Sequence, residues 1–313
     1  MKTAKTCEFV SPNHPDKLCD RIADTLLDEY LAQDPKSRVA LELVGGHSHI
    51  AVSGEVTSNA AVDIPQIIEK FLGRDYDILV RVSQQSPQIA RGVDIGGAGD
   101  QGIMIGYATR ETANFMPTEY ELARNLCKKI YEKFPYDGKT QVSVEDGRPI
   151  AVVASFQKSK NDDLLPLVKD IIPAEEYFIN PAGEWDLGGF DADSGLSGRK
   201  IVIDNYGPEV GVGGGSFSGK DYTKVDRSGA YMARRIAVDL LQSKGAQTVR
   251  TKLAYAIGRR DPVMAVAEIN GVTEKISGYD LSPRGIYEFL DLDKIKFAQT
   301  AAWGHFGRGF SWK

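Results

Sequence analysis

Apolar residues recur along the chain with two alternating periods, one typical of helices and one typical of strands. After position 14, apolar side chains return every four residues, which predicts an amphipathic helix over residues 15–33. The two runs that follow alternate apolar with polar residues and are separated by Gly45-Gly46-His47-Ser48. This pattern predicts a β-hairpin with strands at 38–44 and 49–57.

The same order of strand pairs and helices then occurs twice more. Helical patterns cover residues 62–72, 117–134, 162–172, 224–242 and 283–292. Strand patterns cover residues 76–82, 103–108, 140–144, 149–156, 177–180, 248–257 and 263–269. Each section therefore contains strand pairs and one long helix, which is typical of an α+β protein and not of a strict βαβ repeat. We divide the chain into an N-terminal subdomain (1–87), a central subdomain (97–186) and a C-terminal subdomain (187–313).

Composition narrows the class of protein. With 313 residues, 42% hydrophobic and 26% charged, the chain can bury a large core. A net charge of -5 argues against broad nucleic-acid binding. The three cysteines are scattered without a C-x-x-C pair, and no apolar stretch reaches the length of a membrane span. We therefore expect a cytoplasmic protein without a membrane segment.

The stretch from Gly213 to Arg227 has the densest combination of glycine, lysine and aspartate in the chain. Glycines let backbone amides approach an anion closely, and a predicted helix starts at its end. Lys220 and Lys224 add positive charge, and Asp226 could hold a divalent cation beside them. These residues predict a site for a polyphosphate and its magnesium ion.

The spacing of this stretch comes close to the Walker A motif and departs from it at one position. Four residues separate Gly214 from Gly219-Lys220, as in that motif, but the next residue is Asp221 where a metal-binding hydroxyl is required. We therefore predict a phosphate site of another kind.

A second cluster of candidate residues, His14-Pro15-Asp16-Lys17, lies at the start of the first helix. Pro15 suits the first helical position and Asp16 suits the helix dipole, so a plain helix cap explains the run as well as a catalytic role does. Spacing alone leaves both interpretations open. Glu42 and Glu55 lie within predicted strands, where a carboxylate has to face solvent or a ligand.

Together with Gly97-Ala98-Gly99-Asp100-Gln101-Gly102 and Gly198-Arg199-Lys200, these motifs resemble the S-adenosylmethionine synthetase family, and the likeness extends to Gly304-His305-Phe306-Gly307-Arg308. The resemblance implies three similar α+β subdomains about a pseudo-threefold axis. It also implies a reaction in which the methionine sulfur attacks C5′ of ATP. The triphosphate that leaves is hydrolysed to phosphate and diphosphate in the same site.

The resemblance assigns roles to individual residues. Catalytic positions are His14, Lys139, Arg199 and Lys220. The ATP site adds Asp137, Glu184, Trp185, Asp193, Lys200 and Ser216, and Asp193 also contacts methionine. Methionine is held further by Glu55, Gln85 and Lys224, while Glu8 and Asp100 are other active-site positions. The expected ions are Mg²⁺, two per site, at Asp16 and Asp226 and K⁺ at Glu42.

In this family both subunits of a homodimer contribute to each active site, and the sequence leaves open whether dimers pair into a tetramer. The chain departs from typical members in its short connection over residues 88–97, where the family has a gating loop, and in the large ring of Trp185. Two other classes of protein compete with this interpretation. A P-loop NTPase would need Ser or Thr at Asp221 and a parallel sheet, and a scaffold protein would not need so many matching charges.

Overall fold

The computed structural model describes residues 4–85 and 96–313. Its α-helices are α1 (Pro15–Gln33), α2 (Ile64–Leu72), α3 (Thr118–Lys133), α4 (Asn161–Ile171), α5 (Ile201–Asp204), α6 (Val225–Ser243) and α7 (Pro283–Phe289). Its strands are β1 (Ala4–Val10), β2 (Arg38–Gly46), β3 (His49–Thr57), β4 (Asp77–Ser83), β5 (Gly102–Thr109) and β6 (Gly138–Glu145), followed by β7 (Arg148–Phe156), β8 (Glu176–Ile179), β9 (Gly195–Leu196), β10 (Thr248–Tyr255), β11 (Met264–Ile269) and β12 (Val272–Lys275).

Every helix and strand predicted from periodicity is present, with ends shifted by a few residues. The sequence patterns missed β1, β9, β12 and α5. The strands β9 and β12 and the helix α5 have at most four residues each, which is too short for a period to appear. The glycine-rich connection expected from residue 88 onward lies outside the described residues as far as residue 95.

In the described part of the chain, twelve strands form three four-stranded sheets with a shared plan, in the orders β4-β3-β2-β9, β8-β7-β6-β1 and β12-β11-β10-β5. Each is built around one antiparallel hairpin: β2–β3, β6–β7 or β10–β11. Only β3–β4 and β7–β8 are parallel among the described pairs. This predominantly antiparallel α+β architecture confirms the predicted fold class and excludes the parallel sheet of a P-loop NTPase.

The three sheets exchange strands in a cycle. β1 comes from the N-terminal part of the chain and pairs with β6 of the central part. β5 from the central part pairs with β10 of the C-terminal part, and β9 from the C-terminal part pairs with β2. Each section therefore completes the sheet of the next one, so the three units depend on one another.

One face of each sheet is covered by a long helix. α1 packs on β2 and β9, α3 on β1 and β6, and α6 on β5 and β10. The buried apolar residues of these helices, among them Leu, Ile, Ala and Tyr, form one continuous core with the inward residues of the strands. No helix among residues 4–85 and 96–313 is long and apolar enough to span a membrane.

The opposite face of the N-terminal sheet carries an exposed apolar row. Leu196 of β9 pairs with Val44 of β2, Val44 pairs with Ala51 of β3, and Ala51 pairs with Leu79 of β4. Leu79 is 49% exposed and Val44 is 45% exposed. A row of apolar side chains across a sheet face is typical of a surface that another protein covers.

The contact between β5 and α6 requires a glycine. A Cβ at Gly106 would lie 2.1 Å from the backbone carbonyl of Ala233 in α6. We therefore predict that Gly106→Ala lowers the free energy of unfolding by roughly 2 kcal/mol or more, because α6 must move away from its sheet. Chemical denaturation measures this loss. Gly211→Ala is the control, since its Cβ would meet open space; equal stability of the two variants would contradict the packing described here.

Candidate active site

The N-terminal turn of α1 holds the loop that contains Arg199 and Lys200. One carboxylate oxygen of Asp16 accepts a hydrogen bond from the Leu196 amide at 2.9 Å, and the other lies 2.5 Å from the Lys200 ammonium. Arg199 Nε lies 3.6 Å from the same carboxylate. Burial acts to raise the pKa of Asp16, but the Lys200 and Leu196 hydrogen bonds bring it below its usual value. Asp16 therefore carries a negative charge beside two cations.

His14 is both a helix cap and a member of this charged cluster. Its Nδ1 accepts a hydrogen bond from the Asp16 amide at 3.2 Å, which is the cap interaction. Burial, followed by the charges of Lys200 and Lys139, lowers the pKa of His14 to about 3. Asp16 and Asp193 act in the opposite direction. The imidazole is therefore neutral near pH 7 and lies within electrostatic reach of these four residues, which the family resemblance assigns to the same site.

Lys17 and Asp20 lie behind this cluster in the protein interior. The Lys17 ammonium lies 2.6 Å from Asp204 and 3.1 Å from Asp20. The other oxygen of Asp20 accepts a hydrogen bond from the Gly198 amide at 2.8 Å. Burial raises the pKa of Asp204 to about 7, against the effect of Lys17. Lys17 therefore serves the structure, because it joins α1 to α5 directly after the Arg199-Lys200 loop.

The glycine-rich stretch is held by α1 one turn further along. The Gly219 amide donates a hydrogen bond to Asp24 at 2.8 Å, and Asp24 also pairs with Arg227 at 2.6 Å. Gly219 has φ +78, and a Cβ there would lie 2.1 Å from the Leu41 carbonyl oxygen. This position therefore requires glycine both for its backbone conformation and for its close approach to β2.

Lys220 and Asp226 form the second charged pair of the site. Their Nζ and Oδ2 atoms lie 2.8 Å apart, and the Gly215 amide donates to the other Asp226 oxygen at 3.2 Å. The two clusters adjoin each other, because a Cβ at Gly198 would lie 2.5 Å from the Ser216 Cβ. The structure therefore places the start of α1, with His14 and Asp16, and the neighbouring Lys200 next to the stretch that carries Lys220.

Asp221, which breaks the Walker A pattern, is turned into the interior. It is fully buried and accepts hydrogen bonds from the Val39 amide at 2.6 Å and the Thr223 amide at 2.8 Å. Its partner cation is Lys224, at 2.6 Å. This aspartate fastens the glycine-rich stretch to β2. Its carboxylate is satisfied by protein groups, so it occupies no ligand position of the kind that a Walker A hydroxyl occupies.

The central sheet, which contains β6 and β7, contributes Lys139 and positions the aromatic ring of Trp185. Lys139 of β6 is exposed and pairs with Ser155 of β7, whose hydroxyl accepts a hydrogen bond from Trp185 Nε1 at 3.0 Å. Asp137, two residues before Lys139, is buried and accepts a hydrogen bond from the Gly189 amide at 2.9 Å. Burial raises the pKa of Asp137, and the Gly189 amide opposes this effect. Trp185, predicted to contact adenine, and Lys139, predicted to contact the triphosphate, thus lie at the same end of the β6–β7 hairpin.

Most of the remaining predicted residues lie on outward surfaces, and Gln85 is the buried exception. Glu42 of β2, Glu8 of β1 and Asp193 are exposed, and Glu55 of β3 is half-buried. Asp100 is exposed just before β5, where a Cβ at Gly102 would lie 3.4 Å from Asp226. Gln85 is buried, and its Oε1 atom has no hydrogen-bond partner within residues 4–85 and 96–313. Glu184 forms an exposed ion pair with Lys160 at 2.8 Å and accepts from the Asn161 amide.

The aspartates fit magnesium only in combination with other ligands. No group of three or more His, Cys, Asp or Glu residues among residues 4–85 and 96–313 has the geometry of a metal site. Mg²⁺ is commonly bound by one or two carboxylates, with water and phosphate oxygens completing its shell. Asp16 and Asp226, each beside a lysine, match this arrangement. Glu42 presents a single exposed carboxylate, so a K⁺ site there needs ligands from outside this sheet face.

The site contains two loops, the Arg199-Lys200 loop and the glycine-rich stretch, and sequence reasoning missed the residues that hold them. Asp20, Asp24 and Arg227 are buried and contact loop backbone or one another, and none of them was predicted as part of the site. A signal was present in the sequence. Aspartates recur every four residues in α1, at positions 16, 20, 24 and 28, which places them on one face of the helix. Four acidic residues in register on a largely buried helix require partners.

Family models for S-adenosylmethionine synthetase match nearly the whole chain. The N-terminal domain model matches residues 2–87, the central domain model matches residues 95–185, and the C-terminal domain model matches residues 187–313.

Individual relatives agree with these matches. The S-adenosylmethionine synthase of Parvibaculum lavamentivorans is 39% identical over 369 residues, covering 98% of this chain and 95% of that protein. The corresponding protein of Thermus thermophilus is 40% identical over 374 residues, with the same coverage. A solved structure, described as an unusual S-adenosylmethionine synthetase from Campylobacter jejuni, has a TM-score of 0.88 at 30% identity and covers 99% of this chain and 96% of that one. The chain belongs to the S-adenosylmethionine synthetase family.

Proposed function

We propose that this chain performs the family's methionine adenosyltransferase reaction at the two loops that α1 holds. ATP, L-methionine and water are converted to S-adenosylmethionine, phosphate and diphosphate. One observation carries this proposal: two lysine–aspartate pairs, Lys200–Asp16 and Lys220–Asp226, lie on neighbouring segments of the chain. These segments meet where Gly198 contacts Ser216. Cations gathered at two adjoining loops suit a highly charged leaving group.

The chemistry explains why the site is rich in cations. A thioether sulfur is nucleophilic without losing a proton, so the protein has to align the reactants and stabilise the departing triphosphate. Arg199, Lys200 and Lys220 supply this charge, and Lys139 adds to it from the central sheet. Neutral His14 can offer a hydrogen bond to the C5′ oxygen that leaves with the triphosphate. The same four cations would keep the triphosphate in the site until it is hydrolysed.

The metal ions complete this charge balance. The family is generally dependent on Mg²⁺ and K⁺, and we propose that Asp16 and Asp226 hold two Mg²⁺ ions per site together with triphosphate oxygens. Bound Mg²⁺ neutralises charge that develops on the phosphate oxygens. In this structure the ammonium groups of Lys200 and Lys220 form ion pairs with these two carboxylates. When Mg²⁺ takes the carboxylates, the two ammonium groups would turn to the phosphates. We assign K⁺ to Glu42.

Methionine and the adenine ring of ATP have candidate partners on neighbouring surfaces. We propose that Glu55 and Gln85, together with Lys224 and Asp193, hold methionine. Gln85 supports this role because its buried Oε1 atom lacks a partner among the described residues. Trp185, fixed by its bond to Ser155, would stack on adenine. Glu184, Asp137 and Ser216 would contact ATP, and Glu8 and Asp100 would border the site.

We propose that the working form is a homodimer whose subunits meet at the sheet faces that no helix covers. The apolar row Leu196–Val44–Ala51–Leu79 supports this proposal, since an exposed row of this kind favours association. Glu42 and Glu55 lie on that same outward face, so a partner subunit would complete their surroundings. We place the enzyme in the cytoplasm, where its three free, buried cysteines stay reduced.

A product assay tests the proposed reaction. Purified protein with ATP, methionine, Mg²⁺ and K⁺ should form S-adenosylmethionine, phosphate and diphosphate in equal amounts, because one ATP yields each of them. Parallel reactions without K⁺ measure the dependence on that ion. Formation of ADP and phosphate without a sulfonium product would show an NTPase instead.

The metal assignment has a separate test. In Asp226→Asn, one carboxylate of the triphosphate–magnesium site becomes neutral, so half-maximal activity should need about tenfold more Mg²⁺. Magnesium titration of the initial rate measures this shift. The exposed Asp186→Asn serves as a control that leaves the titration unchanged. An unaltered titration for Asp226→Asn would remove this residue from the metal site.

A further inference from the structure

The guanidinium of Arg227 and the carboxylate of Asp24 hold the Gly219-Lys220 dipeptide from both ends. Arg227 Nη1 donates to the Lys220 carbonyl at 3.1 Å and to Asp24 Oδ1 at 2.6 Å. The same Asp24 oxygen accepts a hydrogen bond from the Gly219 amide at 2.8 Å. Two buried side chains thus bracket the backbone that carries the Lys220 ammonium.

This pair is complete and isolated from water. Arg227 is 1% exposed and Asp24 is fully buried. Arg227 Nη2 donates to Asp24 Oδ2 at 2.8 Å and to the Thr300 hydroxyl at 3.0 Å. Arg227 Nε donates to the Tyr231 hydroxyl at 3.0 Å. Each of the five guanidinium N–H groups therefore has an acceptor. Burial opposes the charge on Arg227, but Asp24 raises the pKa of Arg227 above its usual value, so the guanidinium keeps its charge in the interior.

We propose that Arg227 and Asp24 are positioning residues that fix Lys220 for its work on the leaving triphosphate. This inference rests on the proposed function, in which Lys220 contacts that group. A lysine at position 227 would keep the positive charge, but a single ammonium cannot reproduce the planar fork that reaches Asp24 and the Lys220 carbonyl together. The pair acts through Lys220 and does not itself touch substrate.

A positioning role makes a kinetic prediction that a purely structural role does not. If Lys220 is misplaced, the transition state loses more stabilisation than the bound substrates do, so kcat falls. Hydrolysis of added tripolyphosphate should fall with it, because both steps need the same ammonium. The KM for methionine should stay the same, because Glu55, Gln85 and Asp193 lie in other parts of the chain. The fourth proposed methionine residue, Lys224, is held separately by its 2.6 Å ion pair with Asp221.

The test compares Arg227→Lys with Arg234→Lys. Arg234 lies two turns further along α6, is fully buried and donates to the carbonyls of Tyr107, Asn114 and Phe115, remote in sequence from the glycine-rich stretch. Both variants should lower the melting temperature. Only Arg227→Lys should lower kcat and tripolyphosphate hydrolysis, by roughly ten- to hundredfold, with the KM for methionine unchanged.

Each other outcome overturns the inference or its basis. If Arg227→Lys keeps the wild-type kcat, or loses no more than Arg234→Lys, the pair does not position Lys220. If Lys220→Ala also keeps the wild-type kcat, the role of Lys220 in the proposed function fails as well; if Lys220→Ala is inactive, only the positioning role fails. Should Arg227→Lys not fold, Asp24→Asn is judged by the same criteria, since asparagine can still accept from the Gly219 amide.

Discussion

Carboxylates on one face of α1 hold the loops of the candidate site, and much of the remaining structure depends on this constraint. Asp16 binds the Leu196 amide, Asp20 the Gly198 amide and Asp24 the Gly219 amide. One turn later, Asp28 accepts from the amides of Phe297 and Ala298. Hydrogen bonds to charged groups contribute about 1.5–3 kcal/mol each. A single rigid helix therefore sets the positions of loops from distant parts of the chain.

The strand exchange explains why this helix can reach those loops. β9 comes from the C-terminal part of the chain, yet it pairs with β2 and packs on α1. Its position brings Arg199 and Lys200, which follow directly, to the N-terminal turn of the helix. The isolated bridge between Ala40 and Lys220 fastens the glycine-rich stretch to the same strand β2. The site is thus assembled from sections that could not form it separately.

Long elements with a clear period were predictable, and so were the motifs rich in glycine and charge. The helix over residues 15–33 and the hairpin after it appear with nearly the predicted ends. The pairing of β9 with β2 was not predictable, because two residues carry no period and a long-range strand exchange leaves no local trace. The interior role of Asp221 was also hidden, because its carboxylate is satisfied by the amides of Val39 and Thr223, and one of these lies far away in sequence.

The Arg199-Lys200 loop and the glycine-rich stretch should be rigid before any substrate binds, since α1 supplies their hydrogen-bond acceptors. Amide hydrogen exchange of Gly198 and Gly219 in the ligand-free protein tests this claim most directly. Both amides donate to aspartates that are fully buried, so they should exchange as slowly as interior amides of α6. Exchange as fast as that of an exposed loop amide, such as that of Gly211, would contradict the account.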